Sequence, residues 1–425
     1  MMKRIVLFGA GKSATCLIDY LTELCTKKQW GLVIGDSDIR ALQKMLVLSP
    51  IIHPIQINVE NSPERISLIK QADLVISLLP PALHILIARD CLINSKNLLT
   101  ASYVDDEIRE LGLQIKDKKL FFLYEMGLDP GIDHMSAMQI IDRIHGAGGK
   151  IQEFRSHTGG LVAPESDDNP WHYKISWNPA NVVKAGSAGA IFKESGVIKN
   201  IAYKDVFRNP GTVEIKPLGR FAWYPNRDSL AYIPVYGLES AQSFIRTTLR
   251  HPIFCVGWEN LVNAGLTNSE MPLPGILKTI SEWSKPLLPY INDSNKYLYD
   301  QLGIFENELL PAQANTSAKV LQMLLEKNWM MKDTDRDMIL MLHEFKYDLN
   351  KQSHNLNSSL VVKGENSLRT AMAKTVGLPL GIAAKLILEN KINLQGLHIP
   401  ITPEIYEPVL KELSLHEIQF KEEII

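Results

Sequence analysis

The sequence predicts an α/β chain: an N-terminal doubly wound parallel sheet followed by a larger α+β domain. Three observations carry this. Up to about Phe122, short apolar runs alternate with longer amphipathic stretches, the pattern of a parallel sheet with covering helices. A glycine-rich turn stands between the first apolar run and the first amphipathic stretch. After Asp129-Pro130-Gly131 the rhythm changes, and 425 residues exceed what one hydrophobic core supports.

Strands are expected at 4–8, 31–36, 52–57, 73–78, 97–101 and 119–124, with helices near 11–26, 38–47, 62–70, 82–93 and 104–117. Each helix serves as a right-handed crossover between parallel strands. A helix near 131–146 ends at Gly146-Ala147-Gly148-Gly149, and 151–158 reads as a strand closed by a Gly159-Gly160 turn. Residues 160–310, rich in Pro, Trp, Tyr and Asn, show no clean period. Helices are expected again at 317–328 and 334–344, a strand at 358–363, and a helix over 368–389 interrupted at Gly377-Leu378-Pro379. The expected domains are 1–130 for a dinucleotide, 131–395 for substrate and dimerisation, and 396–425 returning to the first domain.

The composition is that of a soluble globular protein. Lys+Arg number 45 against 47 Asp+Glu, a formal charge of −2, so no net field draws the whole molecule to nucleic acid or an anionic membrane. The cysteines Cys16, Cys25, Cys91 and Cys255 show no CxxC pairing and no nearby histidine cluster. That argues against a zinc site or a disulfide framework; no metal is expected, and a reducing cytoplasm fits best. The apolar run Ile5-Val6-Leu7-Phe8 breaks too early for a signal peptide. The longest uncharged stretch, 74–88, is too short to cross a bilayer, so no transmembrane segment is expected.

The segment Gly9-Ala10-Gly11-Lys12-Ser13-Ala14 is G-x-G-x-x-A between a strand and a helix, the Rossmann fingerprint in its proper context. Gly9 permits the tight turn, Gly11 lets the backbone approach a pyrophosphate, and Ala14 allows close helix–strand packing; the helix N-terminus faces the anion. Asp36 ends the second strand, where an acid suits the two hydroxyls of an adenosine ribose and repels a 2′-phosphate. NAD is therefore favoured over NADP, with Arg40 as the residue able to reach a phosphate instead. Leu78-Leu79-Pro80-Pro81 forms a second loop beside the cofactor.

Later segments narrow the substrate. Thr100-Ala101-Ser102-Tyr103-Val104, Glu125-Met126-Gly127-Leu128-Asp129-Pro130-Gly131-Ile132-Asp133-His134-Met135 and Gly159-Gly160-Leu161-Val162-Ala163-Pro164-Glu165 resemble the saccharopine dehydrogenase family, in its glutamate-forming branch. Lys174-Ile175-Ser176-Trp177, Tyr224-Pro225-Asn226-Arg227-Asp228-Ser229, Arg246-Thr247-Thr248-Leu249-Arg250 and Met372-Ala373-Lys374-Thr375-Val376-Gly377-Leu378-Pro379 continue the match in order. Thr158 stands where the family pattern leads us to expect cysteine, and Val162 where we expect proline. The resemblance implies reversible, nicotinamide-dependent cleavage of saccharopine into glutamate and 2-aminoadipate 6-semialdehyde.

It further implies cofactor contacts from Gly9, Ala10, Gly11, Lys12, Ser13, Asp36, Leu79, Pro80, Leu128 and Ser176. Saccharopine bears three carboxylates, so its site needs cations with fork geometry and further donors. Arg227 and Arg250 are the candidates, with Thr248, Leu249 and the Thr158-Gly159-Gly160 turn beside them. Ser102 and Tyr103 follow the fifth strand at the carboxyl edge of the sheet, where such folds bind ligands. Tyr103 and Asp129 are the candidates for proton handling, with His134 and His157 as further participants. Two alternatives stay open: a relative acting on another imine-derived amine, such as carboxynorspermidine, and a non-catalytic nucleotide-binding member.

Overall fold

The computed structural model describes residues 2–40, 42 and 51–425, which form two compact units: Met1–Arg143 with Leu368–Gln419, and Ile144–Ser367 with Phe420–Ile425. The helix expected over 38–47 lies largely outside the described residues.

The first unit is built on β1 (Arg4–Phe8), β2 (Gly31–Asp36), β3 (Ile52–Gln56), β4 (Leu74–Ser77), β5 (Asn97–Thr100) and β6 (Phe121–Leu123). With the strand Gly396–His398 they form a seven-stranded parallel sheet, in the order Gly396–His398, β6, β5, β4, β1, β2, β3. Strand order reverses between β1 and β4, the switch point at which open α/β sheets hold ligands beyond their carboxyl ends. Ile5, Val6, Leu7 and Phe8 are all fully buried, which explains why β1 is a continuous apolar run: a parallel sheet is covered on both faces. Covering helices include α1 (Thr15–Lys28), α2 (Ser62–Gln71), α3 (His84–Ile93), α4 (Asp106–Glu110), α5 (Gly112–Asp117) and α6 (Ile132–Gly146). The single helix expected over 104–117 is thus two short ones; Asp105 caps the first by accepting from the Ile108 amide.

The helix Ala371–Leu388 runs unbroken through Gly377-Leu378-Pro379, where an interruption was expected. Packing explains the difference. A Cβ on Gly377 would stand 2.8 Å from the Leu17 nitrogen, and one on Gly381 would stand 2.5 Å from the Tyr20 ring, so this helix lies backbone-close against α1. That contact outweighs the one amide hydrogen bond that Pro379 forgoes. The helix is long and apolar enough to cross a membrane, yet 78% of it is buried, as in a core helix.

The second unit holds β7 (Lys150–Val162), β8 (Ala190–Glu194), β9 (Val197–Ile201), β10 (Gly211–Ile215), β11 (Gly219–Pro225), β12 (Arg227–Asp228), β13 (Ser243–Arg250), β14 (Asp337–Leu349) and β15 (Gln352–Lys363). They form a ten-stranded mixed sheet with main path β10, β11, β13, β7, β14, β15 and the final strand Lys421–Ile424. Helices Pro252–Asn263 and Ser317–Trp329 enclose an aromatic core of Trp171, Tyr173, Phe254, Trp258, Tyr299 and Trp329.

Two expectations are corrected in this unit. The expected helix 334–344 is instead a turn leading into strand β14: its Met-Ile-Leu-Met-Leu run is buried on both faces between β7 and β15, which erases the alternation that marks a half-exposed strand. Gly159-Gly160 is not a turn but lies within β7, opposite Leu340 and Ile339. A Cβ on Gly159 would approach Leu249 Cβ to 2.7 Å, so the glycine serves close strand contact rather than chain reversal. The units also divide differently from the expected domains. Residues 131–143 and 368–395 belong to the first unit, where Tyr406 of the helix Pro403–Leu415 donates to Asp142 Oδ2 at 2.6 Å and so ties the C-terminal segment to α6.

Candidate functional site

In the first unit the carboxyl ends of β1, β2 and β4 meet at the glycine turn. Gly9 has φ +98°, and a Cβ there would lie 2.6 Å from the Leu78 carbonyl oxygen, so conformation and space both exclude other residues. Gly11 has extended backbone, and a Cβ on it would meet nothing within 4 Å. The cradle a side chain would fill is thus open beside the first turn of the following helix, as a pyrophosphate requires. Lys12 and Ser13 lie in that turn, a 3-10 turn closed by the Ala14 amide donating to the Gly11 carbonyl at 2.9 Å; Ala14 itself is buried.

Asp36 stands at the end of β2 and shapes the turn directly. Its Oδ2 accepts from the Ala10 amide at 2.6 Å, and its Oδ1 from the Asp38 amide at 2.9 Å. Arg40 is engaged elsewhere: its Nε and one terminal nitrogen bind the two oxygens of Asp38 at 2.9 and 2.6 Å. These hydrogen bonds from Arg40 hold the Asp38 carboxyl down at about 2.

The loop after β4 carries Leu79, partly buried, and Pro80, exposed. A residue that sequence reasoning missed shapes it. His84, buried at the start of α3, has Nδ1 2.8 Å from the Ser77 hydroxyl and also bonds the Leu79 backbone. Burial pushes its pKa down to about 4, so it is a neutral ring.

Beyond β5, Tyr103 donates to Asp129 Oδ1 at 3.3 Å, bringing together the two expected proton-handling residues; Ser102 is half-buried next to them. Leu128 is buried in the same loop, where the Gly127 amide donates to the Pro130 carbonyl at 2.9 Å. His134 is fully buried, with Nε2 2.9 Å from Glu125 Oε2.

In the second unit, strand register sorts the expected substrate residues by face. Tyr224, Thr248 and Thr158 are neighbours across β11, β13 and β7, and Arg250, two residues beyond Thr248, shares their side. Arg250 is 5% exposed; its guanidinium lies over the Tyr173 and Phe254 rings at 5.0 and 5.4 Å and donates to the Leu249 carbonyl at 2.8 Å. Among the described residues no carboxylate pairs with it, and neither its Nε nor Thr158 Oγ1, both buried, has a hydrogen-bond partner. Tyr224 beside them is fully buried, which pushes its hydroxyl up to about 12. The loop segment carrying Ser176, itself buried, is anchored by Lys174, held between Asp335 at 2.7 Å and Asp168 at 2.8 Å.

Four of the expected residues are not part of this group. Leu249 points to the opposite face, into a cluster with Leu161, Phe221 and Leu340. His157 shares that opposite face, where Thr247 Oγ1 at 2.7 Å and Glu344 Oε2 at 2.8 Å engage both ring nitrogens. Arg227 is exposed on β12 with φ 54°, whereas Arg246, not singled out from sequence, is 8% exposed and stacks on Tyr232 at 4.4 Å. Gly160 follows Thr158 on its face of β7, and Gly159 lies on the other.

The family profile described as saccharopine dehydrogenase NADP binding domain matches residues 5–123, and that described as saccharopine dehydrogenase C-terminal domain matches residues 127–418. The chain is 32% identical to the L-glutamate-forming, NADP(+) saccharopine dehydrogenase of Saccharomyces cerevisiae, over 80% of this chain and 82% of that one. It is 31% identical to the alpha-aminoadipic semialdehyde synthase of Arabidopsis thaliana over 98% of its own length but only 44% of the plant protein, so it spans less than half of that relative. The bovine synthase gives 31% identity over 98% and 47%. Among solved structures, apo saccharopine dehydrogenase (L-Glu forming) from S. cerevisiae superposes with TM-score 0.88 at 28% identity, covering both chains fully. Homospermidine synthase from Legionella pneumophila, at TM-score 0.60 and 11% identity, shares the fold alone.

Proposed function

This chain belongs to the saccharopine dehydrogenase family, and from that premise we propose that it reversibly oxidises saccharopine with a nicotinamide nucleotide, giving L-glutamate and 2-aminoadipate 6-semialdehyde in lysine metabolism. The observation that carries the reading is Arg250. A buried guanidinium without a carboxylate is costly, and it is retained where a ligand supplies the anion. Thr158 and Thr248 hydroxyls on the same face supply further donors to that carboxylate.

The nucleotide, when bound, supplies the hydride acceptor. Loss of hydride from the carbon beside the secondary nitrogen leaves an imine; water adds, and the carbinolamine divides into aldehyde and amine. This chain's residues must therefore remove a proton from the secondary amine and shuttle others between water and nitrogen. Asp129 is the acceptor in this reading, and the Tyr103 hydroxyl donating to it holds it oriented and relays the proton.

We read the nucleotide as NAD(H) in preference to NADP(H), although the fungal relatives carry NADP(+) in their names. Asp36 places a carboxylate, fixed by two amides, at the ribose end of the turn, and Asp38 neutralises Arg40. A homodimer in a reducing cytoplasm belongs to the same reading; sedimentation equilibrium checks the first, and cysteines that form no CxxC pair suit the second. The test is a panel of secondary amines that includes saccharopine and carboxynorspermidine, with nucleotide reduction followed optically. Saccharopine should be the preferred substrate, and a preference for carboxynorspermidine would overturn the assignment.

A further inference from the structure

We infer that the buried Glu125–His134 pair is the positioning element of the reaction, holding Tyr103 and Asp129 at their working separation; this rests on the reaction proposed above. Glu125 is 3% exposed and His134 fully buried, and Glu125 adopts φ 56°, the left-handed region that a long side chain rarely occupies. A buried carboxylate and a strained backbone are separate costs, and their coincidence at one residue points to function rather than folding.

What Glu125 holds identifies that function. Its amide donates to the Ser102 carbonyl at 2.9 Å, while its Oε1 accepts from the Val104 amide at 3.1 Å. The residue thereby grips the chain on both sides of Tyr103. Its other oxygen, Oε2, meets His134 Nε2 at 2.9 Å, a contact with a carboxylate that a proton on Nε2 satisfies. His134 sits in the first turns of α6, whose start closes the Asp129 loop. There the Asp133 amide donates to the Leu128 carbonyl at 3.0 Å, and Asp133 Oδ1 accepts from the Gly131 amide at 2.7 Å. One carboxylate therefore links the segment carrying Tyr103 to the helix that fixes Asp129. The Tyr103–Asp129 contact, at 3.3 Å, lies at the long end of hydrogen bonding, so a small shift of either segment breaks it.

The experiment compares wild type with Glu125→Ala, Glu125→Gln and His134→Ala, measuring saccharopine oxidation, nucleotide dissociation constant and thermal midpoint. Glu125→Ala should lower kcat by roughly 100-fold, the cost of a misplacement near 1 Å, with nucleotide affinity unchanged. Glu125→Gln keeps an acceptor for the Val104 amide and should recover part of that loss. If Glu125→Ala does not fold, His134→Ala carries the test, with kcat falling and nucleotide affinity kept. Folded variants with wild-type kcat overturn the inference. So does a loss that Gln does not relieve and that follows the thermal midpoint across the series. A wild-type chain that fails to oxidise saccharopine contradicts the reaction itself, and this inference falls with it.

Discussion

Replacing Arg250 should move stability and substrate binding in opposite directions. In the free protein the guanidinium is 5% exposed, stacks on two aromatic rings, and among the described residues finds one carbonyl acceptor and no carboxylate. Exchanging a buried charge for an apolar side chain of similar length is neutral or stabilising by about 1–4 kcal/mol, so Arg250→Met should keep or raise the thermal midpoint. In the proposed saccharopine complex the same residue would make a fork to a carboxylate. Two charge-assisted hydrogen bonds at about 1.5 kcal/mol each sum to about 3 kcal/mol, a roughly 100-fold loss in saccharopine affinity. Arg250→Lys keeps the charge without the fork and should also bind saccharopine weakly. The assays are calorimetry on the free proteins and steady-state kinetics with nucleotide saturating. If Arg250→Met lowers the thermal midpoint and leaves the saccharopine KM unchanged, Arg250 is a structural residue and the reasoning fails.

Further outcomes follow from other sites. Asp36→Ala should raise kcat/KM with NADP relative to NAD, measured by parallel titrations; an unchanged ratio removes the ribose contact. His84 is pulled from 6.5 in the unfolded chain to about 4 when folded, so its contribution is complete above the unfolded value and is lost as pH falls towards the folded one. Wild type should lose about 3 kcal/mol more than His84→Gln between those limits in urea unfolding, and parallel curves would contradict a neutral buried ring. Gly377→Ala should destabilise by about 1–3 kcal/mol, because its new methyl meets the Leu17 backbone; an unchanged midpoint would show that the two helices can part.

The first unit was legible because its signals are local. Buried parallel strands are written as apolar runs, and Gly9, Gly11, Ala14 and Asp36 stand at spacings set by the turn itself. The second unit was less so. The first half of β14 is buried on both faces, so its Met-Ile-Leu-Met-Leu run lacks the alternation of a half-exposed strand. Gly377-Leu378-Pro379 and the Gly159-Gly160 pair were read by their local preferences, whereas close approaches of Gly377 to Leu17 and of Gly159 to Leu249 set their surroundings. Among the candidate site residues, Asp129, Tyr103 and Arg250 were singled out through the family resemblance. The face that the Leu249 side chain takes was not legible, because a one-residue step along a strand reverses the face, which only the register with β7 and β11 reveals. His84 left no signal in sequence, and Glu125 only its place at the head of a family segment, since their roles depend on which carbonyls and amides the fold brings to them.

The central claim is most directly tested by incubating the purified chain with saccharopine and either NAD or NADP and measuring nucleotide reduction together with glutamate released. Saccharopine-dependent reduction is expected, with NAD preferred and one glutamate formed per nucleotide reduced. Nucleotide binding without glutamate release at any pH would contradict it.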